Sequence, residues 1–131
     1  MKQNSFHKSE RLCSKKIFQT LFNKGITYAN HPVRIIYLET LLPEKVPVQV
    51  AFSVSKKKFK KATERNRIKR QLREAWRLNN HELKTHLTKI NKQLALCILF
   101  TANQPSEFAL VQDKIILLLK RLLNEYNNLK P

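Results

Sequence analysis

The sequence predicts an α+β domain built as a two-layer sandwich, with elements in the order helix, strand, strand, helix, strand, helix. Three observations carry this. Val48 to Ser55 alternates strictly, with Val48, Val50, Phe52 and Val54 on one face and Gln49, Ala51, Ser53 and Ser55 on the other, which is the period of a strand. Ala62 to Leu78 places Ile68, Leu72, Ala75 and Trp76 within about a third of a helix circumference. Leu94 to Thr101 is apolar throughout and of strand length, as in a strand buried on both sides. At 131 residues the chain is long enough for one core and one domain, 1–131.

Ser14 is a natural N-cap and Gly25, the single glycine, a natural residue just past a helix end, so Lys15 to Lys24 is predicted as a short helix. Ile17 and Leu21 read as core, while Phe18 and Phe22 stand one turn apart and are open to either core packing or a ligand role. Pro32 opens a strand running to about Leu41, where its missing N–H does no harm, and Pro43 and Pro47 bracket a turn before Val48. These two strands read as a β-hairpin with one face covered by helices. The small residues Gln49, Ala51 and Ser53 would form a shallow floor on the other face. Arg34, charged in an apolar strand, reads either as an edge gatekeeper or as an anion contact.

His81 to Asn91 extends or follows the basic helix, with Leu83, Leu87 and Ile90 on one side. A strand, a helix and a buried strand in succession predict that the Leu94 strand lies parallel to a strand of the same sheet. Ala102 to Pro105 is a turn, Ser106 a cap, and Glu107 to Tyr126 a terminal helix with core stripe Val111, Ile115, Leu118, Leu119 and Leu122. Leu110, Ile116, Leu117 and Leu123 widen that stripe, which predicts deep burial against the sheet. Residues 1–10 and 127–131 are expected to be loose.

Charge dominates the composition, at +17 net. Lys56 to Arg77 holds 11 Lys/Arg against Glu64 and Glu74, and the i,i+4 pairs Arg65/Lys69, Lys69/Arg73 and Arg73/Arg77 all repel. A helix that accepts those costs on one flank while burying the next is suited to a polyanion, and its arginines suit phosphate forks. The first fifteen residues hold no apolar run and the longest such run is far short of about 20 residues, so neither a secretory signal nor a membrane span is expected, and the chain reads as cytoplasmic. Cys13 and Cys97 read as free thiols, and His7, His31, His81 and His86 are too scattered for zinc. One aspartate, Asp113, and eight dispersed glutamates offer no nuclease metal cluster, and a single glycine rules out a phosphate-binding glycine loop. The residues predict a protein that binds nucleic acid without cutting it.

The string FSVSKK, followed seven residues later by RNRIKRQLREAWR, resembles the protein subunit of bacterial ribonuclease P. Arg65, Asn66, Arg67, Lys69, Arg70, Arg73 and Glu74 match its signature helix, and the likeness runs from about Arg11 to about Asn124. One departure is the lack of glycine in Lys56 to Lys61, where many members carry one. The resemblance implies a ribosomal protein S5 domain 2-like sandwich with a left-handed βαβ crossover. It implies binding of the catalytic RNA by Lys56, Lys57, Arg65, Asn66, Arg67, Lys69, Arg70, Arg73 and Arg77. It further implies contact of Phe18, Phe22, Arg34 and Ile36 with the 5′ leader of precursor tRNA. Catalysis would then belong to the RNA subunit with Mg²⁺ held there, with no cofactor on the protein, and the partners would be that RNA and precursor tRNA, with no membrane and no obligate protein partner. The competing reading is a basic RNA-binding protein of ribosome assembly; a DNA reader is weaker, since no dimerisation helix is evident.

Overall fold

A computed structural model describes residues 8–127. A 3₁₀ turn, Lys8–Glu10, leads into α1 (Lys15–Lys24), β1 (Ile26–Asn30), β2 (Val33–Glu39), β3 (Val48–Val54), α2 (Ala62–Asn79), α3 (His81–Lys89), β4 (Leu94–Phe100) and α4 (Phe108–Asn127). Of the 127–131 segment expected to fray, Asn127 instead ends α4, and 128–131, like residues 1–7 with His7, lie outside the described residues. Lys8–Glu10, placed by sequence in the loose segment, forms a turn with Glu10 buried.

One mixed sheet of order β1-β2-β4-β3 organises the chain. β2 and β3 are not a hairpin: β4 lies between them, antiparallel to β2 and parallel to β3, as the strand–helix–strand order requires. The reason is burial. Among the strands β4 is the most uniformly apolar, and only a central place removes both of its faces from water. The true hairpin joins β1 to β2 across His31–Pro32. β1 carries no sequence alternation because it is an edge strand in which only Tyr28 is buried.

Val33, Ile35, Tyr37, Val48, Val50, Val54, Leu94, Leu96, Ile98 and Phe100 line the face packed by α2, α3 and α4. The predicted stripes Ile68, Leu72, Ala75, Trp76 and Val111, Ile115, Leu118, Leu119, Leu122 all lie in that core, with Leu83, Leu87 and Ile90 beside them. The wider apolar surface of α4 is only partly buried. Leu110 and Leu117 are 45% and 53% exposed, because the sheet covers one side of the helix and no described element covers theirs. Helix α4 also starts later than expected. Glu107, not Ser106, accepts the first helical bond, from Val111 N (3.2 Å), while the Ser106 carbonyl is held by Gln71 Nε2 (3.3 Å).

The opposite face is smaller and carries only α1. Leu21, Ile36, Ala95 and Cys97 form a second core there, with Leu12. Ser14 caps α1 as predicted, its Oγ accepting from Ile17 N at 3.2 Å. Gly25 ends the helix but not in the left-handed conformation such a position usually takes: its φ is −69° and ψ 160°. Its smallness is what matters. A Cβ there would lie 2.4 Å from the Leu21 carbonyl oxygen and 2.6 Å from Ile36 Cγ2.

Candidate nucleic-acid interface

Helix α2 carries most of its basic residues on the flank adjoining its buried stripe, but they are not equivalent. Arg65 is half-buried, and its Nη1 donates to the carbonyls of Phe59 (2.8 Å) and Lys60 (3.0 Å). Arg73 lies over the Phe52 ring of β3, 6.0 Å from its centroid. Arg77 pairs with Glu74, Nε to Oε2 at 3.0 Å and Nη2 to Oε1 at 2.5 Å. This hydrogen bond holds the Glu74 carboxyl below the usual glutamate range. Three members of the repelling column read from sequence thus have intramolecular partners that blunt its cost. Asn66, Arg67 and Arg70 are exposed, and Arg67 and Arg70 have no ionic partner among the described residues; Lys69 is half-buried between the two groups.

The loop before α2 is fixed despite having no glycine. Ser55 Oγ accepts from Lys57 N (3.2 Å) and Lys58 N (3.3 Å), and Phe59 is buried against Phe100, ring centroids 5.9 Å apart. The only positive-φ residue among those described is Asn91, so nothing in this loop requires a glycine. Arg65 completes the clamp from α2. Lys56 and Lys57 are left exposed at the end of the sheet.

Around that end lies the open part of the smaller face. Strand register aligns Ala29, Arg34, Leu99 and Ser53 in one row across the sheet, and Thr27, Ile36, Cys97 and Ala51 in the next. Helix α1 packs over Ile36, Cys97 and Ala51 of the second row, leaving Thr27 exposed at the β1 edge; Ile36 is only 7% exposed, so it supports the floor and does not offer the surface expected of it. The reason is Gly25, which lets α1 settle directly on it. The first row is open. Arg34 is exposed and lines a cleft of about 510 Å³ with His31, Ser53, Ser55, Lys58 and Thr101. Lys58 Nζ donates to the Thr101 carbonyl at 2.7 Å, which places its charge at the rim.

Leu12 N bonds Val50 O at the outer edge of β3, and Gly25 meets Ile36 and Tyr37, so α1 runs across the strands. Neither Phe18 nor Phe22 lines the Arg34 cleft itself; Phe18 lines a smaller depression at the start of α1 with Leu12, Cys13, Ser14, Lys15 and Gln19. The two rings are 4.8 Å apart. Phe18 is half-buried on the second core, whereas Phe22 is 44% exposed. The face of β3 turned to this cleft is the small-residue one, although Gln49 is buried, its Nε2 donating to Ser9 O at 2.9 Å. His31 and Lys58 escaped sequence reading as cleft residues. Lys58 was hidden within a basic run, and nothing about a lone histidine before proline marks it.

Over residues 6–123 the chain matches the protein family described as Ribonuclease P. The chain belongs to the ribonuclease P protein family. It is 31% identical to the ribonuclease P protein component of Porphyromonas gingivalis over 105 residues, covering 80% of this chain and 77% of that protein. With that of Chlorobium phaeobacteroides it shares 30% over 122 residues, 86% and 84% of the two chains. Among solved structures the ribonuclease P protein of Thermotoga maritima superposes with a TM-score of 0.65 at 25% identity, covering 86% of this chain and 96% of that one. The Staphylococcus aureus protein gives 0.65 at 24%, covering 88% and 96%, a likeness of fold. Among the described residues of this family member no three His, Cys, Asp or Glu side chains gather as metal ligands, and no helix is long and apolar enough to cross a membrane. Cys97 is buried, which pushes its thiol up to about 12, and Cys13 is exposed; both are free.

Proposed function

We propose that the chain binds the catalytic RNA of ribonuclease P through Asn66, Arg67, Lys69 and Arg70 of α2 with Lys56 and Lys57, and holds the 5′ leader of precursor tRNA along the open face, through Arg34 in the cleft and Phe22 and Phe18 on α1. The observation that supports this most is the division of exposed cations between two surfaces on opposite faces of one sheet, joined at the Lys56–Lys58 corner. One surface is a helix flank of forked arginines, suited to phosphates of a folded RNA. The other is an open trough on the face that carries α1, whose exposed Phe22 and half-buried Phe18 suit an unpaired strand, since bases stack without regard to identity. Arg65, Arg73 and Arg77 act mainly by fixing the loop and the helix surface. The chemistry falls to the RNA and its Mg²⁺. The protein neutralises phosphates crowded together when precursor docks, which lowers the Mg²⁺ requirement and favours precursor over product in the cytoplasm.

Reconstitution with the catalytic RNA tests it. Protein should raise precursor cleavage at low Mg²⁺, and Arg67→Ala with Arg70→Ala should weaken assembly and flatten its log–log salt slope by about 1–2. Unchanged cleavage, together with co-sedimentation on ribosomal subunits, would favour the ribosome-assembly reading instead.

A further inference from the structure

The segment between the 3₁₀ turn and α1 is tied down at each step. Gln49, itself 3% exposed, donates to Ser9 O; Arg11 bridges Val50 in parallel with β3; and Leu12 N bonds Val50 O at 3.0 Å while its side chain joins the core under α1. Between these, Glu10 is 5% exposed and its Oε2 lies 2.5 Å from Lys84 Nζ on α3. Helix α3 belongs to the other side of the molecule, since its Leu83 and Leu87 sit in the main core. Lys84 lines neither the cleft nor the basic flank of α2.

We propose that Lys84 is a positioning residue for leader recognition, acting through Glu10 and the Ser9–Leu12 strap to fix α1 on the open face. This rests on the leader-binding reading above. A carboxylate taken out of water needs compensating charge, and the direct Lys84 ion pair, reaching from α3, holds Glu10, and with it the strap, against the sheet edge. Helix α1 depends on that anchor because ten residues are too few for a helix to persist unaided, below the roughly 12–15 that are marginal in water. Three residues, Arg11, Leu12 and Cys13, separate Glu10 from the Ser14 cap, too short a tether for the strap to lift without disturbing the α1 start. The two aromatics ride on that helix, whereas Arg67 and Arg70 ride on α2 and feel none of this.

The test uses full-length protein, free and assembled with the catalytic RNA. Lys84→Met should speed hydrogen exchange at the Leu12 and Phe18 amides of the free protein. In the holoenzyme it should cut the affinity advantage of precursor carrying a leader over leaderless precursor by about tenfold, with assembly unchanged within about twofold. Lys84→Arg should restore both. Glu10→Gln combined with Lys84→Gln removes both charges together and carries the same expectation should Lys84→Met fail to fold. Unchanged exchange at Leu12 and Phe18 in either variant overturns the proposal, as does released exchange with the leader advantage intact. A wild-type holoenzyme with no leader advantage would fail the leader-binding reading itself, and with it any role of Lys84 in recognition, even if exchange at the strap responds.

Discussion

The two faces of the sheet are made from the same four strands and do opposite work. On one, three helices bury Ile35, Leu96, Ile98 and their neighbours almost completely. On the other, a single ten-residue helix covers most of one row of residues and leaves the Ala29–Arg34–Leu99–Ser53 row in a cleft. The difference lies in side-chain size. Alternation puts valines and Phe52 of β3 on the closed face and Gln49, Ala51 and Ser53 on the open one, so only the first can support a large core. The closed face supplies stability, which frees the open one to expose charge and aromatic surface.

The sharpest way to break this contrast is at Trp76, 1% exposed at the heart of the closed face. Trp76→Ala should cost about 3–5 kcal/mol in urea unfolding. Its Nε1 has no acceptor among the described residues, so Trp76→Phe should cost clearly less, because it removes an unsatisfied buried donor as well as area. On the open face the largest effect belongs to Gly25. A methyl group there must displace the Leu21 carbonyl or Ile36, and Gly25→Ala should cost about 1–3 kcal/mol and lift α1 off the floor, read as a lower unfolding midpoint with weaker leader binding. An unchanged midpoint would mean that α1 is held less closely than its packing implies.

Legibility from sequence followed burial in the same way. The stripes of α2 and α4, the doubly buried β4 and its parallel pairing were readable because burial on one side of a regular element leaves a period. Strand β1 was not, since an edge strand with one buried residue leaves none, and the wrong partner for β2 followed from missing it. In the site, exposure of Arg67 and Arg70 was legible from the helix angle alone. The diversion of Arg65, Arg73 and Arg77 to partners was not, because Phe59 O, Phe52 and Glu74 reach them through loop geometry, sheet position and rotamer choice. Ile36 was misplaced because its burial depends on how close a glycine lets α1 come.

Phe18 and Phe22 sharpen the comparison within one helix. Their rings touch at a tilt of 47°, yet only Phe18 packs into the second core. Phe22→Ala should leave stability within about 0.5 kcal/mol and weaken leader binding by about 1–3 kcal/mol, the range of one base stack. Phe18→Ala should lower both. Precursor titrations of the two holoenzymes alongside urea curves distinguish them; equal stability losses would make both rings core residues and leave the open face without an aromatic contact for the leader.

The smallest effect is expected at Glu74, the one acid within the exposed basic flank of α2. Its pKa is depressed, first by the Arg77 hydrogen bond and then by the charge of that guanidinium, with slight burial opposing. A carboxyl whose folded pKa lies below its unfolded one adds stability at pH values above the unfolded value, and that contribution is lost as pH falls through the folded one. Glu74→Gln should therefore be slightly less stable than wild type at neutral pH, and the two urea midpoints should converge as the solution is acidified below the ordinary glutamate range. Side-chain exposures of 34% for Arg77 and 43% for Glu74 keep the effect small and make it shrink with added salt. The same substitution removes a negative charge from the surface offered to RNA, so assembly should tighten slightly at low salt while stability falls. Opposite signs in the two measurements would place Glu74 on the side of the fold, at the expense of binding; a loss in both would make its pairing with Arg77 part of the RNA-binding surface.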